Sequence, residues 1–185
     1  MTKSEKKHIV FLAGFMGSGK STLGPQLAER LDYDFADIDS IVEKAEGISI
    51  AEIFEEHGEG YFRKVESRAL KEIAAAGRNF VVALGGGSLT SEQNRAMIRE
   101  SGVLVYLKAG PEEIMERVRA KRDRPMLLSP DGKTLSENEL SIRVKSLLNE
   151  REKHYLEALI TIDTSNSSIA KSVDIIESKL RGKIR

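Results

Sequence analysis

The chain has 185 residues, 40% of them hydrophobic, with 29 basic and 29 acidic side chains that cancel to a net charge of zero. That length supports one domain around one sizeable core, and the charge balance gives nucleic acid or an anionic membrane no electrostatic hold as a main partner. Cysteine is absent, which excludes a disulfide framework and a thiolate metal site.

Residues 1–7 are polar and charged, and the apolar run after them is only a strand long. No signal peptide or transmembrane helix is expected, and a soluble cytoplasmic protein is. Residues 8–13 read as a buried strand. Gly14-Phe15-Met16-Gly17-Ser18-Gly19-Lys20-Ser21 follows and fits G-x-x-x-x-G-K-[ST], the phosphate-binding loop. Residues 21–31 then read as a helix. Glycines let the loop curl its N–H groups inward, and the helix N-terminus adds positive dipole, so an anion is held by both. Gly17, Ser18, Gly19, Lys20, Ser21 and Thr22 are the expected ATP-binding run. Lys20 would reach the β- and γ-phosphates and the Ser21 hydroxyl would ligate Mg²⁺.

A weak strand over 34–37 leads into Asp37-Ile38-Asp39. Carboxylates at the carboxyl end of a parallel sheet face the ligand crevice. Extended alternation would put Asp37 and Asp39 on one side, one near Mg²⁺ and its waters and the other near a substrate hydroxyl. Asp39 could instead cap the next helix; beside a phosphate loop, ligand contact is favoured. Ser49 and Glu52 make a capping box. In a helix over 60–75, Arg63 and Glu66 share a face. A surface ion pair is the plain reading, and an arginine held by Glu66 toward an anionic group is the other. The stripe Ile50, Ile53 and Phe54, with His57, reads as core.

A third strand over 80–84 runs into Gly85-Gly86-Gly87. Consecutive glycines are useful where backbone approaches a ligand closely. No aspartate stands at that strand tip, so Asp37 is the candidate to hold the metal's waters. Thr90 with Gln93 suggests another capping box, strand 103–107 follows, and Pro111 after Gly110 suits a first helical position. Residues 120–135 form a charged, Pro- and Gly-containing loop with Arg122, Arg124 and Pro125, a candidate lid whose arginine could close on transferring phosphate. Ser136 with Glu139 opens a charged helix carrying Arg151, and residues 159–163 supply a last strand. His8, His57 and His154 lack metal-ligand spacing. Strand–helix alternation argues for a parallel sheet covered by helices on both faces.

From about Ile9 to the C-terminal helix the chain resembles shikimate kinase. The resemblance rests on an ordered set: the phosphate loop, D-x-D at Asp37-Ile38-Asp39, and S-I-x-x-I-F-x-x-x-G-E-x-x-F-R-x-x-E from Ser49 to Glu66. Gly85-Gly86-Gly87, Arg124-Pro125 and Arg151 with Tyr155 complete it. It implies a P-loop α/β kinase of the nucleoside monophosphate kinase type, with a five-stranded parallel sheet in order 2-3-1-4-5 and a lid. It implies one kinase domain over 1–185, with a shikimate-binding region near 38–76 and a lid near 120–137. The implied reaction moves the γ-phosphate of ATP, with Mg²⁺, to the 3-hydroxyl of shikimate in aromatic amino acid biosynthesis.

By the same resemblance, Asp39 would bind that hydroxyl and could accept its proton. Arg63 and Arg151 would clamp the carboxylate, with Glu66 orienting Arg63. Gly85 and Gly86 would face the substrate, Gly86 through its amide. Phe54 and Phe62 would line the ring pocket. Lys20 and Arg124 would stabilise the phosphoryl group, Arg117 would stack on adenine, and residues 163–167 would flank it. A monomer without nucleic-acid or membrane partners is expected. Residues 128–139 look like an insertion, and Leu84 stands where many relatives carry Thr. Two other readings compete: a gluconate kinase of the same fold, which has less reason to combine Arg63, Arg151 and three glycines, and a catalytically idle regulatory relative. The latter expects a lesion in Lys20, Ser21, Asp39 or Arg63, and none is present.

Overall fold

The computed structural model describes residues 8–119, 127, 135–165 and 167–184. Strands β1 (Ile9–Ala13), β2 (Asp34–Asp37), β3 (Phe80–Ala83), β4 (Gly102–Lys108) and β5 (Ile160–Asp163) are joined through helices. These are α1 (Lys20–Leu31), α2 (Ile38–Glu46), α3 (Ile50–Ala75), α4 (Glu92–Ser101), α5 (Pro111–Arg119), α6 (Glu137–Tyr155) and α7 (Ile169–Leu180). The strands form one five-stranded sheet in order β2-β3-β1-β4-β5, and every pairing is parallel. The expected sheet and order are therefore present.

Side-chain alternation splits β1 between two cores. Ile9, Phe11 and Ala13 point into a cluster with Ile38, Val65, Leu70, Ile98, Val144 and Tyr155 from α2, α3, α4 and α6. Val10 and Leu12 point the other way, onto Leu23 and Leu27 of α1 and Val173, Ile176 and Leu180 of α7. Both faces of the central strand are thus covered, and all five of its residues are buried. Helix α1 lies close on β2: a Cβ on Gly24 would stand 2.3 Å from the Phe35 ring.

Several boundaries follow the predicted caps. Ser49 and Glu52 form a reciprocal capping box at α3, and Ser136 and Glu139 form another at α6, each worth about 1 kcal/mol. Other boundaries differ from expectation. Ser91, whose hydroxyl accepts from the Asn94 amide, caps α4 in place of Thr90 with Gln93. Thr90 instead ends a 3-10 turn, Ser88–Thr90, and donates its hydroxyl to Gly87 O. The helix expected over 60–75 is present as the second limb of α3, which kinks at one non-helical residue, Gly58, at φ 78° and ψ 170°. Of the apolar stripe there, Ile53 is buried, Ile50 and Phe54 are partly buried against the core, and His57 is exposed.

No helix among the described residues is long and apolar enough to cross a membrane. Most of the expected lid and insertion, including Arg124, lies outside the described residues.

Candidate active site

The carboxyl ends of β1, β2 and β3 converge on one side of the sheet, and the chemistry-bearing residues stand there. The turn after β1 is built from left-handed glycines. Gly17 has φ 81°, and Gly19, the residue before α1, has φ 96°. Side chains rarely tolerate those angles, so the loop demands glycine at both positions. Lys20 Nζ folds back over the loop and donates to Gly14 O at 2.8 Å and Phe15 O at 3.2 Å. An ammonium held by neutral carbonyls at the mouth of an amide-lined loop can exchange them for anionic oxygens. The Ser18 hydroxyl is buried and makes no hydrogen bond.

Ser21 Oγ donates to Asp37 Oδ2 at 2.8 Å. The other Asp37 oxygen accepts from the Asp39 and Ser40 amides and caps α2. This corrects one expectation and the alternative set beside it. Strand β2 ends at Asp37, so Asp39 lies in the first helical turn rather than across an extended segment, and Asp37, not Asp39, is the cap. The hydroxyl–carboxylate pair fits Mg²⁺: hard oxygen donors, few of them, on an exposed serine and a partly exposed aspartate that water can reach.

The glycines after β3 are needed for space, since none of the three has a positive φ. A Cβ on Gly85 would lie 2.3 Å from Glu66 Oε1 and 2.9 Å from Asp39 Oδ1. One on Gly86 would lie 3.4 Å from Arg151 Nη1, and one on Gly87 would lie 2.5 Å from Arg63 Nη2. The three residues are thus a bare floor onto which Asp39, Glu66, Arg151 and Arg63 are pressed. We expect Gly85→Ala to destabilise the fold by about 1–3 kcal/mol through overpacking. Urea denaturation of the variant checks this, and an unshifted midpoint would mean that Glu66 can move aside.

Arg63 Nη1 donates to Glu66 Oε2 at 2.9 Å, and its Nε and Nη2 donate to Glu59 Oε1 at 3.2 and 3.0 Å. The Glu66 side chain is 1% exposed and that of Arg63 is 24% exposed, so this is no surface pair. Burial pulls the Arg63 pKa down, but the Glu66 charge and the hydrogen bonds from Glu66 and Glu59 leave it raised. The guanidinium lies 5.1 Å from the Phe62 ring centroid, and Phe62 packs on Phe54 with centroids 5.0 Å apart.

Arg151 comes from the last turns of α6, is 4% exposed, and has an Nε without a hydrogen-bond partner. A buried, incompletely satisfied guanidinium is costly unless an anion completes it. Tyr155, one turn on, donates its hydroxyl to Gly86 O at 2.6 Å and stacks on Tyr106 at 5.1 Å. Burial raises the pKa of the Tyr155 phenol and pushes that of Tyr106 up to about 12. Tyr155 is therefore a neutral donor at physiological pH and fixes the glycine floor to α6.

Arg117 of α5 reaches across to the phosphate loop, donating Nη1 to Gly17 O at 2.7 Å and pairing with Glu113 through Nη2. Thr22 follows in the first turn of α1, its amide donating to Gly19 O at 3.1 Å. Two groups result. Lys20, Ser21, Asp37 and Arg117 surround the phosphate loop, while Asp39, Arg63, Glu66 and Arg151 surround the glycines, with Phe54 and Phe62 beside Arg63. Sequence reasoning missed Ser88, which donates its hydroxyl to Glu66 Oε1 at 2.6 Å, and Asn94, which donates to Ser88 O at 3.0 Å. Both are buried polar side chains that no spacing rule singles out.

Comparison with known proteins agrees with this geometry. The shikimate kinase family model matches residues 16–181. A shikimate kinase of Chlorobium phaeobacteroides is 42% identical over 177 residues, covering 96% of this chain and 93% of that protein. One of Chlorobaculum tepidum is 43% identical, covering 96% and 92%. Among solved structures, the shikimate kinase from Acinetobacter baumannii in complex with shikimate superposes with a TM-score of 0.84 at 33% identity, covering 98% of this chain and 97% of that one. That of Aquifex aeolicus gives 0.78 at 36% identity, covering 94% and 96%.

Proposed function

The chain belongs to the shikimate kinase family, and on that premise we propose which of its residues carry ATP-dependent phosphorylation of shikimate. The observation that supports the assignment is the placing of two poorly exposed arginines, Arg63 and Arg151, over the bare glycine floor beside the phosphate loop. A ring carboxylate would give Arg151 Nε the partner it lacks and would compete with Glu59 for the fork of Arg63, whose planar geometry suits it.

In this reading ATP lies with its phosphates on Gly17, Ser18, Gly19 and Thr22, and Lys20 leaves the Gly14 and Phe15 carbonyls for the β- and γ-oxygens. Arg117 turns from Gly17 to the adenine face. Shikimate lies with its carboxylate on Arg63 and Arg151, its ring against Phe54 and Phe62, and its edge on the Gly85 and Gly86 backbone. Glu66 holds Arg63 in place. Asp39 orients the 3-hydroxyl in line with the γ-phosphorus and takes its proton as the new P–O bond forms and the bond to ADP breaks. Ser21 would hold Mg²⁺ directly and Asp37 through water, and that ion would neutralise charge on the phosphate oxygens. Arg124, from the lid near 120–137, would close on the same oxygens. Little covalent chemistry is asked of the protein, so positioning and charge stabilisation supply the rate. We assign the whole of 1–185 to one kinase domain, with substrate residues concentrated in 38–76, acting as a monomer in the cytoplasm, where ATP is available.

Coupled ADP release tests the substrate pocket, with ATP, Mg²⁺ and either shikimate, gluconate or no acceptor. Turnover is expected with shikimate alone. Gluconate as the better acceptor would leave the phosphate loop standing and overturn the carboxylate clamp.

A further inference from the structure

Glu66 is a buried carboxylate whose two oxygens serve different partners. Oε2 accepts from Arg63 Nη1 at 2.9 Å, and Oε1 accepts from the Ser88 hydroxyl at 2.6 Å. We propose that Ser88 is a positioning residue for carboxylate recognition, locking the Glu66 carboxylate so that Arg63 is presented at a fixed angle. The inference rests on the reading of Arg63 as part of the substrate's carboxylate clamp.

Ser88 is itself held on every side. It opens the 3-10 turn that follows the glycines, and its amide donates to Gly85 O at 3.1 Å. Its carbonyl accepts from the buried Asn94 Nδ2 at 3.0 Å, and Arg95 Nη1 ties the next carbonyl, Leu89 O, at 2.6 Å. Ser88 and Asn94 are each 1% exposed. A hydroxyl facing a carboxylate oxygen donates its proton, and such a charge-assisted bond is about twice as strong as a neutral one. Gly85 closes the remaining side, since a Cβ there would stand 2.3 Å from Oε1 and 3.1 Å from Ser88 Oγ. Without the hydroxyl, Oε1 loses its donor and the carboxylate can turn about its terminal torsion, which is broad and weakly restrained. The Nη1 end of Arg63 would lose its fixed partner, since it meets Glu66 through that nitrogen alone, and the guanidinium would be left to the half-exposed Glu59 carboxylate on its other side.

Steady-state kinetics on a set of variants test this. Ser88→Ala is expected to raise KM for shikimate by about tenfold, leaving kcat and KM for ATP within about twofold. In a Glu66→Gln background the same substitution should change KM for shikimate by less than about twofold, because partners acting through one group are not additive. Ser91→Ala removes the α4 cap without touching Glu66, and should lower Tm while leaving KM for shikimate alone. Should Ser88→Ala fail to fold, Ser88→Cys keeps the volume with a weaker donor and should raise KM for shikimate in the same direction. An unchanged KM for shikimate in the folded Ser88 variant would overturn the proposal. So would an equal rise in KM for ATP, or a full-sized effect in the Glu66→Gln background. Arg63→Ala separates the two layers. If it leaves shikimate affinity intact, the clamp reading fails and this inference fails with it; if it weakens shikimate while the Ser88 variants do not, only this inference fails.

Discussion

Lys20→Ala is expected to lower turnover by about a thousandfold or more, with the far-ultraviolet circular dichroism spectrum and Tm nearly unchanged. The reasoning starts from what Lys20 touches. Its ammonium donates to two carbonyls of its own loop, Gly14 O and Phe15 O, and these are neutral groups at a half-exposed site that water can serve instead. The loop's shape is fixed by its glycine angles and by the amide of Ser18 donating to Phe15 O at 3.1 Å, neither of which needs the lysine. The folded state therefore loses little. The transition state loses a full positive charge aimed at oxygens that gain negative charge as the phosphoryl group transfers. Residual turnover near that of the parent protein, in a folded variant, would remove Lys20 from the chemistry.

Arg63→Ala is expected to weaken shikimate binding by about a hundredfold while changing ATP affinity by less than about twofold. Isothermal titration with each ligand alone measures both. A second cost accompanies the first, because the truncation strips a buried carboxylate of its cation. Removing one partner of a buried pair destabilises by about 3–5 kcal/mol, and here the Ser88 hydroxyl remains on Glu66 and should hold the loss to the lower end. Equal loss of both affinities would show that Arg63 shapes the fold in general and has no particular duty toward the acid. Arg63→Lys adds a graded comparison. It keeps the charge but loses the planar fork, so its shikimate affinity should fall between those of the parent and the alanine variant.

Some of this was legible in the residues and some was not, for reasons that can be named. The phosphate loop could be read because its function is local: strand, glycines, lysine and helix are consecutive, and each imposes its own requirement. The parallel sheet could be read from alternation, and the strand order entered through family resemblance alone. The start of α2 is hard to place because Asp37 and Asp39 are both good caps, and the choice rests on Asp37 staying extended, at φ −112°, with its carboxylate on the Asp39 and Ser40 amides. The start of α4 was misjudged similarly, since Thr90 and Ser91 are adjacent hydroxyl residues and tertiary contact decides between them. Arg63 and Glu66 looked like a solvated pair because spacing says which face two residues share, not whether water reaches it. Ser88 was invisible altogether. Its partner is 22 residues away, and no periodicity connects a serine after a glycine run to a glutamate on an earlier helix.

The two cores on opposite sides of the sheet are unequal in what they adjoin. The cluster with α2, α3, α4 and α6 contains Phe15, Phe62 and Tyr155, all of which border the proposed shikimate pocket. The cluster with α1 and α7 contains none of those three and meets the nucleotide side instead, through α1 and through Leu107, whose carbonyl backs Gly14 of the phosphate loop. Laboratory evolution should therefore find two separable reservoirs of variation. Library diversity placed between α1 and α7 would tune heat tolerance and expression while acceptor preference drifts little. Diversity on the other face would trade the two against each other from the first round.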